Sequence, residues 1–440
     1  MQDRGAQIRA RASLLNMLAS KTLASKTLAS KAWTALGEAA WLDGERARAY
    51  GRILFFLSFA GALIWIALAR DGIDRAAKPL GTDFVSFWTA SRFALEGQPA
   101  AAYDVAAHWS AQKALFGANT GYSAFFYPPV YLLICLPLAA LPYFWSLGLW
   151  LAATGYAYWR VVRAYAGPAL DPLAILAFPA VLINIGHGQN GFLSAALIGG
   201  GALLLDRRPI LAGLCFGALV YKPHLAPMIP LALIAARRWT ALVATAASAA
   251  GFAALSWAWF GEATWRAFLA ATPLARAALE RNLVGDEKMQ SVFSAVRLLH
   301  GDLTLAYGLQ GIAAIGAAIV LVALNRRRGE GEGPAMIAAA LIASPFLLDY
   351  DFTLLAIPLA WLAREGVRSG FAPGEKIVLA LAFMLPLYSR AIAGAFGVPL
   401  APLVVIATFA FVARRAALAK ASRAREHLLA AKDLLAAEES

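Results

Sequence analysis

Charge is scarce in this chain. Only 15% of its 440 residues are Asp, Glu, Lys or Arg, while 60% are hydrophobic and the mean hydropathy is +0.62. Soluble domains carry roughly 25% charged residues. A chain with so little charge cannot clothe a soluble surface, which leaves an integral membrane protein. Acid is scarcer than base, with 26 Asp and Glu against 39 Lys and Arg and a net charge of +13. The excess falls in short clusters between apolar runs, as cytoplasmic loops do. No extended basic face is formed, so no nucleic acid is expected as a partner. Cysteine is nearly missing. Cys135 and Cys215 lie inside apolar runs, where they act as small hydrophobes. They give neither a disulfide framework nor a zinc spacing. There is no GxxxxGK[ST] loop, no HExxH and no glycine-rich strand-to-helix turn. This argues against phosphate-loop, zinc-peptidase and dinucleotide chemistry.

What is present is a series of uncharged runs. The first begins at Ile53, late for a cleaved signal, and reads as a retained span. Arg160/Arg163, Arg207/Arg208, Arg237/Arg238, Arg326–Arg328, Arg364/Arg368/Lys376 and Arg414/Arg415 are natural cytoplasmic ends. Placing them with the N-terminus on one side gives an all-α, polytopic protein with about twelve transmembrane helices. In that scheme residues 126–141 dip in and return, and both termini are cytoplasmic. The expected organisation is a basic tail over 1–52, a membrane domain over 53–413 and a cytoplasmic helical tail over 414–440. The basic tail carries nine Lys/Arg against four Asp/Glu and holds the repeat "LASKTLASKTLASK" at 18–31. The expected location is the plasma (inner) membrane, with membrane lipids as partners.

The polar segments left outside are 71–125, 186–190, 221–224, 261–301 and 349–351. In "GTDFVSFWTASRF" (81–93), Phe84, Phe87, Trp88, Ser91 and then Leu95 share one helical face, suited to a helix lying in the membrane interface. Gly97 is a natural stop. Asp83 stands at its N-cap, worth about 1 kcal/mol, and a carboxylate there also presents itself to a substrate. In "FFYPP" (125–129), Pro128 and Pro129 suit a first helical turn, and Tyr127 suits headgroup depth. In "GHGQNG" (186–191), His187, Gln189 and Asn190 offer donors and acceptors fit for sugar hydroxyls. The plain alternative is a turn with Asn190 as cap. Lys222 in "YKPH" has no acid beside it in the sequence. An intramembrane cation is a functional candidate, and it suits a phosphate, with His224 as helper or proton donor. Its alternative role is a lipid-headgroup anchor. Asp349 and Asp351 in "DYD" are expected to bind sugar hydroxyls, to pair with Lys222 or Arg390, or to hold a divalent metal. The loop 261–301, with Trp265, Arg281, Lys288 and Gln290, reads as a solvated cover. If these groups face outward, a cytoplasmic nucleotide sugar cannot reach them, and an activated sugar must arrive on a lipid.

In order along the chain, "GTDFVSFWTASRFALEGQPAAAYD", "FFYPP", "GHGQNGFLSAAL", "RRPILAGLCFGALVYKPHLAP" and "SPFLLDYD" resemble glycosyltransferase family 87. The similarity runs over roughly 50–413. The resemblance implies a GT-C fold and a polyprenyl-phosphate sugar donor, mannose above all. It also implies inversion at the anomeric carbon and an acid in the first outer loop as catalytic base, which is Asp83 here. On that reading a lipid or glycan accepts the sugar, Lys222 and His224 bind the donor phosphate, and Tyr127, His187, Gln189, Asn190, Asp349 and Asp351 bind sugar or acceptor. No cofactor is implied. Where relatives often carry a histidine after a Ser-Pro, this chain has Phe346. A secondary transporter and a lipid-linked glycan ligase or polymerase remain as alternatives. The transporter lacks the expected likeness between halves.

Overall fold

The computed structural model describes residues 37–168, 170–326 and 328–438. The repeat at 18–31 lies outside them. Every named element among the described residues is a helix, joined in three places by isolated β-bridges. In chain order they are α1 (Gly44–Ala67), α2 (Phe84–Leu95), α3 (Val105–Phe116), α4 (Val130–Cys135), α5 (Tyr143–Ala166), α6 (Pro172–Leu176), α7 (Pro179–His187), α8 (Gly191–Leu204) and α9 (Pro209–Ala218). There follow α10 (Met228–Ala235), α11 (Trp239–Glu280), α12 (Val292–Leu298), α13 (Leu303–Asn325), α14 (Glu332–Ala343), α15 (Ala356–Ser369), α16 (Glu375–Phe396) and α17 (Ala401–Glu438). Short 3-10 turns at Leu219–Tyr221, Pro223–Leu225 and Asp349–Leu355 interrupt the pattern.

Five of these are long and apolar enough to cross a membrane: α1, α11, α13, α16 and the Ala401–Ser422 part of α17. The other apolar helices, including Gly191–Leu204, Pro209–Tyr221 and Pro223–Ala235, run 10–17 residues, short of the ~20 that a full span needs. Val130–Ala140 is among them, too short to cross. Helix α1 starts well before the Ile53 expected from hydropathy, at Gly44, where Asp43 accepts a hydrogen bond from the Arg46 amide and caps the first turn. The expected end of an apolar run near 260 coincides with the kink of α11 at Gly261, where φ is 76°.

The centre of the bundle is α14, buried from Glu332 to Ile342, and the buried turn Asp349–Leu355 that follows it. Around this axis the basic segments are joined by ion pairs and hydrogen bonds. Arg238 binds Asp206 and Glu332, Arg368 binds Glu330 and Glu365, Arg415 binds Glu375, and Arg328 donates to the Ala236 and Arg237 carbonyls. The polar turn 81–83 is tied to 187–191, and 285–290 to 347–351.

One expectation is corrected here. Helix α2 does not lie in an interface with one face in lipid. Phe84 through Ser91 are all buried, and only the last turn, at Leu95, reaches the surface. Its aromatics build an internal cluster: Phe87 meets Tyr131 at 5.1 Å and Tyr127 at 5.5 Å between ring centres, and Trp88 donates to the Leu141 carbonyl. A buried helix of this kind holds its first residue rigidly. Its end follows expectation, with Gly97 at φ 77° and the Gln98 amide closing back on the Phe93 carbonyl.

Candidate active site

Asp83 precedes α2, but its side chain makes no capping hydrogen bond and its backbone is already helical, at φ −94° and ψ −22°. The capping role expected from local sequence is therefore not what it does. The carboxylate turns instead to the 187–189 turn. His187 Nδ1 lies 3.3 Å from Asp83 Oδ2 and 2.9 Å from Thr82 Oγ1. Gln189 Nε2 donates to the same Oδ2 at 3.2 Å. The Asp83 amide donates to the His187 carbonyl at 2.9 Å, so the two turns are also zipped through the backbone. Both side chains keep about a third of their surface open, 32% for Asp83 and 30% for His187.

Neighbouring elements hold each partner. Tyr143 OH donates to the carbonyls of Leu80 and Gly81, and Ser123 Oγ to that of Thr82. The 187–191 turn is sutured by Asn184, which donates to the Gln189 carbonyl and accepts from the Gly191 amide. Gly188 is left-handed at φ 65°, and a Cβ there would stand 2.6 Å from that of Phe84. Glycine at this place lets the turn approach α2 closely. Tyr127 OH donates to Gln189 Oε1 at 3.3 Å, and the Asn190 amide reaches the same oxygen at 2.9 Å. Gln189 is thus oriented with its oxygen on Tyr127 and its amino group on Asp83.

Asp83 and His187 lie outside the membrane-spanning helices, and their charges support each other. Burial pushes the Asp83 carboxyl up, but the His187 imidazole, hydrogen bonds from His187 and Gln189, and the charge of Lys288 hold it below the usual carboxylate range. Burial pulls His187 down, while Asp83 and then Asp349 hold it above the usual imidazole value against the opposing charge of Arg390. The result is a carboxylate that stays ionised and keeps an acceptor lone pair, one N–H away from a cation.

Of the roles expected for the two acids of "DYD", the pairing with Lys222 and Arg390 is the one seen here. The ammonium without an acid beside it in the sequence is fully engaged in space. Nζ lies 2.6 Å from Asp351 Oδ1, with side-chain exposures of 2% and 1%, and 4.9 Å from the centre of the Tyr350 ring. An unpaired ammonium at this depth would cost several kcal/mol, and Asp351 removes that cost. Asp351 also accepts the Leu348 amide, so the pair fixes the "DYD" turn under the site. The turn places Tyr350 6.3 Å from His187 between ring centres. Asp349 accepts from the Tyr350 amide at 2.9 Å and from Arg390 Nη1 at 3.3 Å. The His224 ring lies 6.1 Å from Phe346, and its Nε2 is buried without a partner. Among the described residues no three His, Cys, Asp or Glu side chains gather as a metal site.

Asp83, Tyr127, His187 and Gln189 therefore form one hydrogen-bonded group. The Lys222–Asp351 pair lies behind it, with Asp349 at its side and Asn190 buried beneath. Sequence reasoning missed Thr82, Asn184 and Tyr350. Tyr350 stood between two singled-out acids, and Thr82 beside Asp83, so proximity was the available signal. Asn184, inside an apolar run, gave only its polarity as a clue.

Neither a curated protein nor a solved structure matches this chain. The model of glycosyltransferase family 87 matches residues 125–358. Asp83 precedes the matched segment, which carries Tyr127, the 187–191 turn, Lys222 and the "DYD" turn. With more than half of its length matched, the chain belongs to glycosyltransferase family 87, a family of membrane glycosyltransferases.

Proposed function

We propose that this protein moves a single sugar, mannose or another hexose, from a polyprenyl-phosphate donor to a lipid or glycan of the cell envelope. In this reading the chain crosses the plasma membrane about twelve times, several crossings being made by apolar helices of 10–17 residues, with both termini inside and the site facing outward. The donor carries its sugar in by lipid, since a water-soluble nucleotide sugar of the cytoplasm would be on the wrong side. Asp83 is the general base. The acceptor oxygen attacks the anomeric carbon and its proton passes to the Asp83 carboxylate. The bond from that carbon to the phosphate oxygen breaks, and its electron pair leaves on polyprenyl phosphate. Attack from the face opposite the phosphate inverts the centre. His187 keeps Asp83 ionised and aimed, Gln189 and Tyr127 orient it and offer hydrogen bonds to hydroxyls, Asp349 stands at the sugar's side, and Asn190, wholly buried, supports the turn from beneath. Lys222 does not meet the phosphate directly in this reading. With Asp351 it holds Tyr350 and Asp349 in register.

One observation carries the proposal: a carboxylate at a helix start that makes no cap and keeps about a third of its surface exposed, braced by an imidazole and an amide. The test is the purified protein in vesicles with labelled polyprenyl-phosphate mannose and an envelope glycolipid extract, read by mass spectrometry. The expected result is a product heavier by one hexose. Transfer of a whole glycan, or flux of substrate without any new bond, would overturn it.

The charge coupling predicts a pH effect. In the native protein the acid limb of kcat/KM lies below the usual carboxylate range, because Asp83 is held down chiefly by His187. His187→Gln removes that imidazole, so the Asp83 pKa rises and the acid limb moves to higher pH. A pH–rate profile of the two proteins checks this. A limb that stays put, or moves to lower pH, contradicts the coupling.

A further inference from the structure

Two cations stand at the edge of this site without a part in the scheme above. Arg390 projects from α16 with 37% of its side chain exposed and touches Asp349 through Nη1 alone. Lys288 lies in the loop between α11 and α12, partly exposed, and makes no ion pair among the described residues. The loop is held firmly. The Gln290 amide donates to the Leu347 carbonyl at 2.7 Å, and Met289 bridges to Leu348. On its other side Glu287 lies against Gly394, where a Cβ would come 3.6 Å from Glu287 Cγ. Gly394 is one helical turn past Arg390. The loop is thus pinned between the approach to Asp349 and the end of α16, which puts Lys288 and Arg390 on one rim. Their charges act on Asp83 and His187 respectively, so this rim borders the reacting group.

We propose that Arg390 and Lys288 grip the phosphate of the lipid-linked donor, while Lys222 is held by Asp351. This rests on the sugar-transfer reading above. The donor is a phosphodiester with one negative charge, and the departing polyprenyl phosphate is a monoester with up to two. Charge therefore grows on the phosphate oxygens as the bond to the sugar breaks. Cations fixed beside them bind the transition state more strongly than the ground state. Arg390 has a planar fork with further N–H groups beyond the one on Asp349, suited to two phosphate oxygens at once. Lys288 adds a point charge on a flexible stem. Asp349 keeps the guanidinium aimed while the site is empty of donor.

The experiment uses the full-length protein in nanodiscs and a short-chain polyprenyl phosphate without sugar as probe. Its binding is measured by native mass spectrometry alongside transfer kinetics. Lys288→Ala, Arg390→Ala and Arg390→Lys are compared. Each alanine variant is expected to weaken probe binding on the order of tenfold to a hundredfold, and Arg390→Ala to lower kcat as well. Arg390→Lys is expected to recover part of both. Lys288 has no ion pair to lose, so its variant leaves the fold undisturbed, and probe binding rather than rate is its readout because its charge also acts on Asp83. Wild-type affinity and turnover in both alanine variants, with Asp83-dependent transfer intact, would sink the grip alone. A native protein that binds the probe but transfers no sugar would leave the grip standing and remove the transferase reading.

Discussion

Purified Asp83→Asn protein is expected to transfer sugar about 10²–10⁴ times more slowly than the native enzyme, the usual contribution of a positioned general base. The substitution is chosen for what it keeps. The amide oxygen of asparagine can still accept from Gln189 Nε2, which now reaches Asp83 Oδ2 at 3.2 Å. The helix loses no cap, because the Asp83 side chain caps nothing. The backbone bond from residue 83 to the His187 carbonyl is indifferent to the side chain. Only basicity and charge are removed, so the unfolding temperature should move little while the rate collapses. An unfolding transition like the native one, together with full transfer, would show that the proton goes elsewhere.

Lys222→Met should fall mainly on stability. Its ammonium and the Asp351 carboxylate are 2% and 1% exposed and 2.6 Å apart. Removing one partner leaves the other charged and buried, which costs about 3–5 kcal/mol. Asp351→Leu should cost a similar amount for the same reason. The double variant Lys222→Met/Asp351→Leu should regain much of the loss, since apolar groups of similar volume often replace a buried pair at little cost. Thermal unfolding in detergent measures all three. Activity should recover less than stability, because Asp351 also holds the Leu348 amide and, through the turn, Tyr350. If Lys222→Met unfolds at the native temperature, the pair is not closed in solution. Lys222 then returns as a direct phosphate ligand.

Much of the site was legible as a set of segments. The turns "GTD", "GHGQN" and "DYD" stood out because polar residues between apolar runs need a reason. What local sequence misjudged was direction. Asp83 looked like a cap because caps are decided within four residues, whereas its partners, His187 and Gln189, arrive from more than a hundred residues away. The aromatic face of α2 looked like an interfacial face because hydropathy cannot tell lipid from a protein interior rich in tyrosine. Lys222 has no acid beside it because its partner Asp351, one of the acids expected to pair with it, is 129 residues distant in the chain. Lys288 looked like one more solvated charge, since only the pinning of its loop between Leu347 and Gly394 brings it to the rim.

By itself the sequence determined that this chain lives in a membrane and is helical, because too few charges exist to face water and every apolar run needs its backbone bonds satisfied internally. It also gave the family likeness, which is a matter of motif order. Which carboxylate keeps open surface and which is closed in a buried ion pair was decided only by the tertiary structure. Both are single aspartates in polar turns. The difference between a third of a side chain open beside an imidazole and 1% open against an ammonium arises from packing between distant helices.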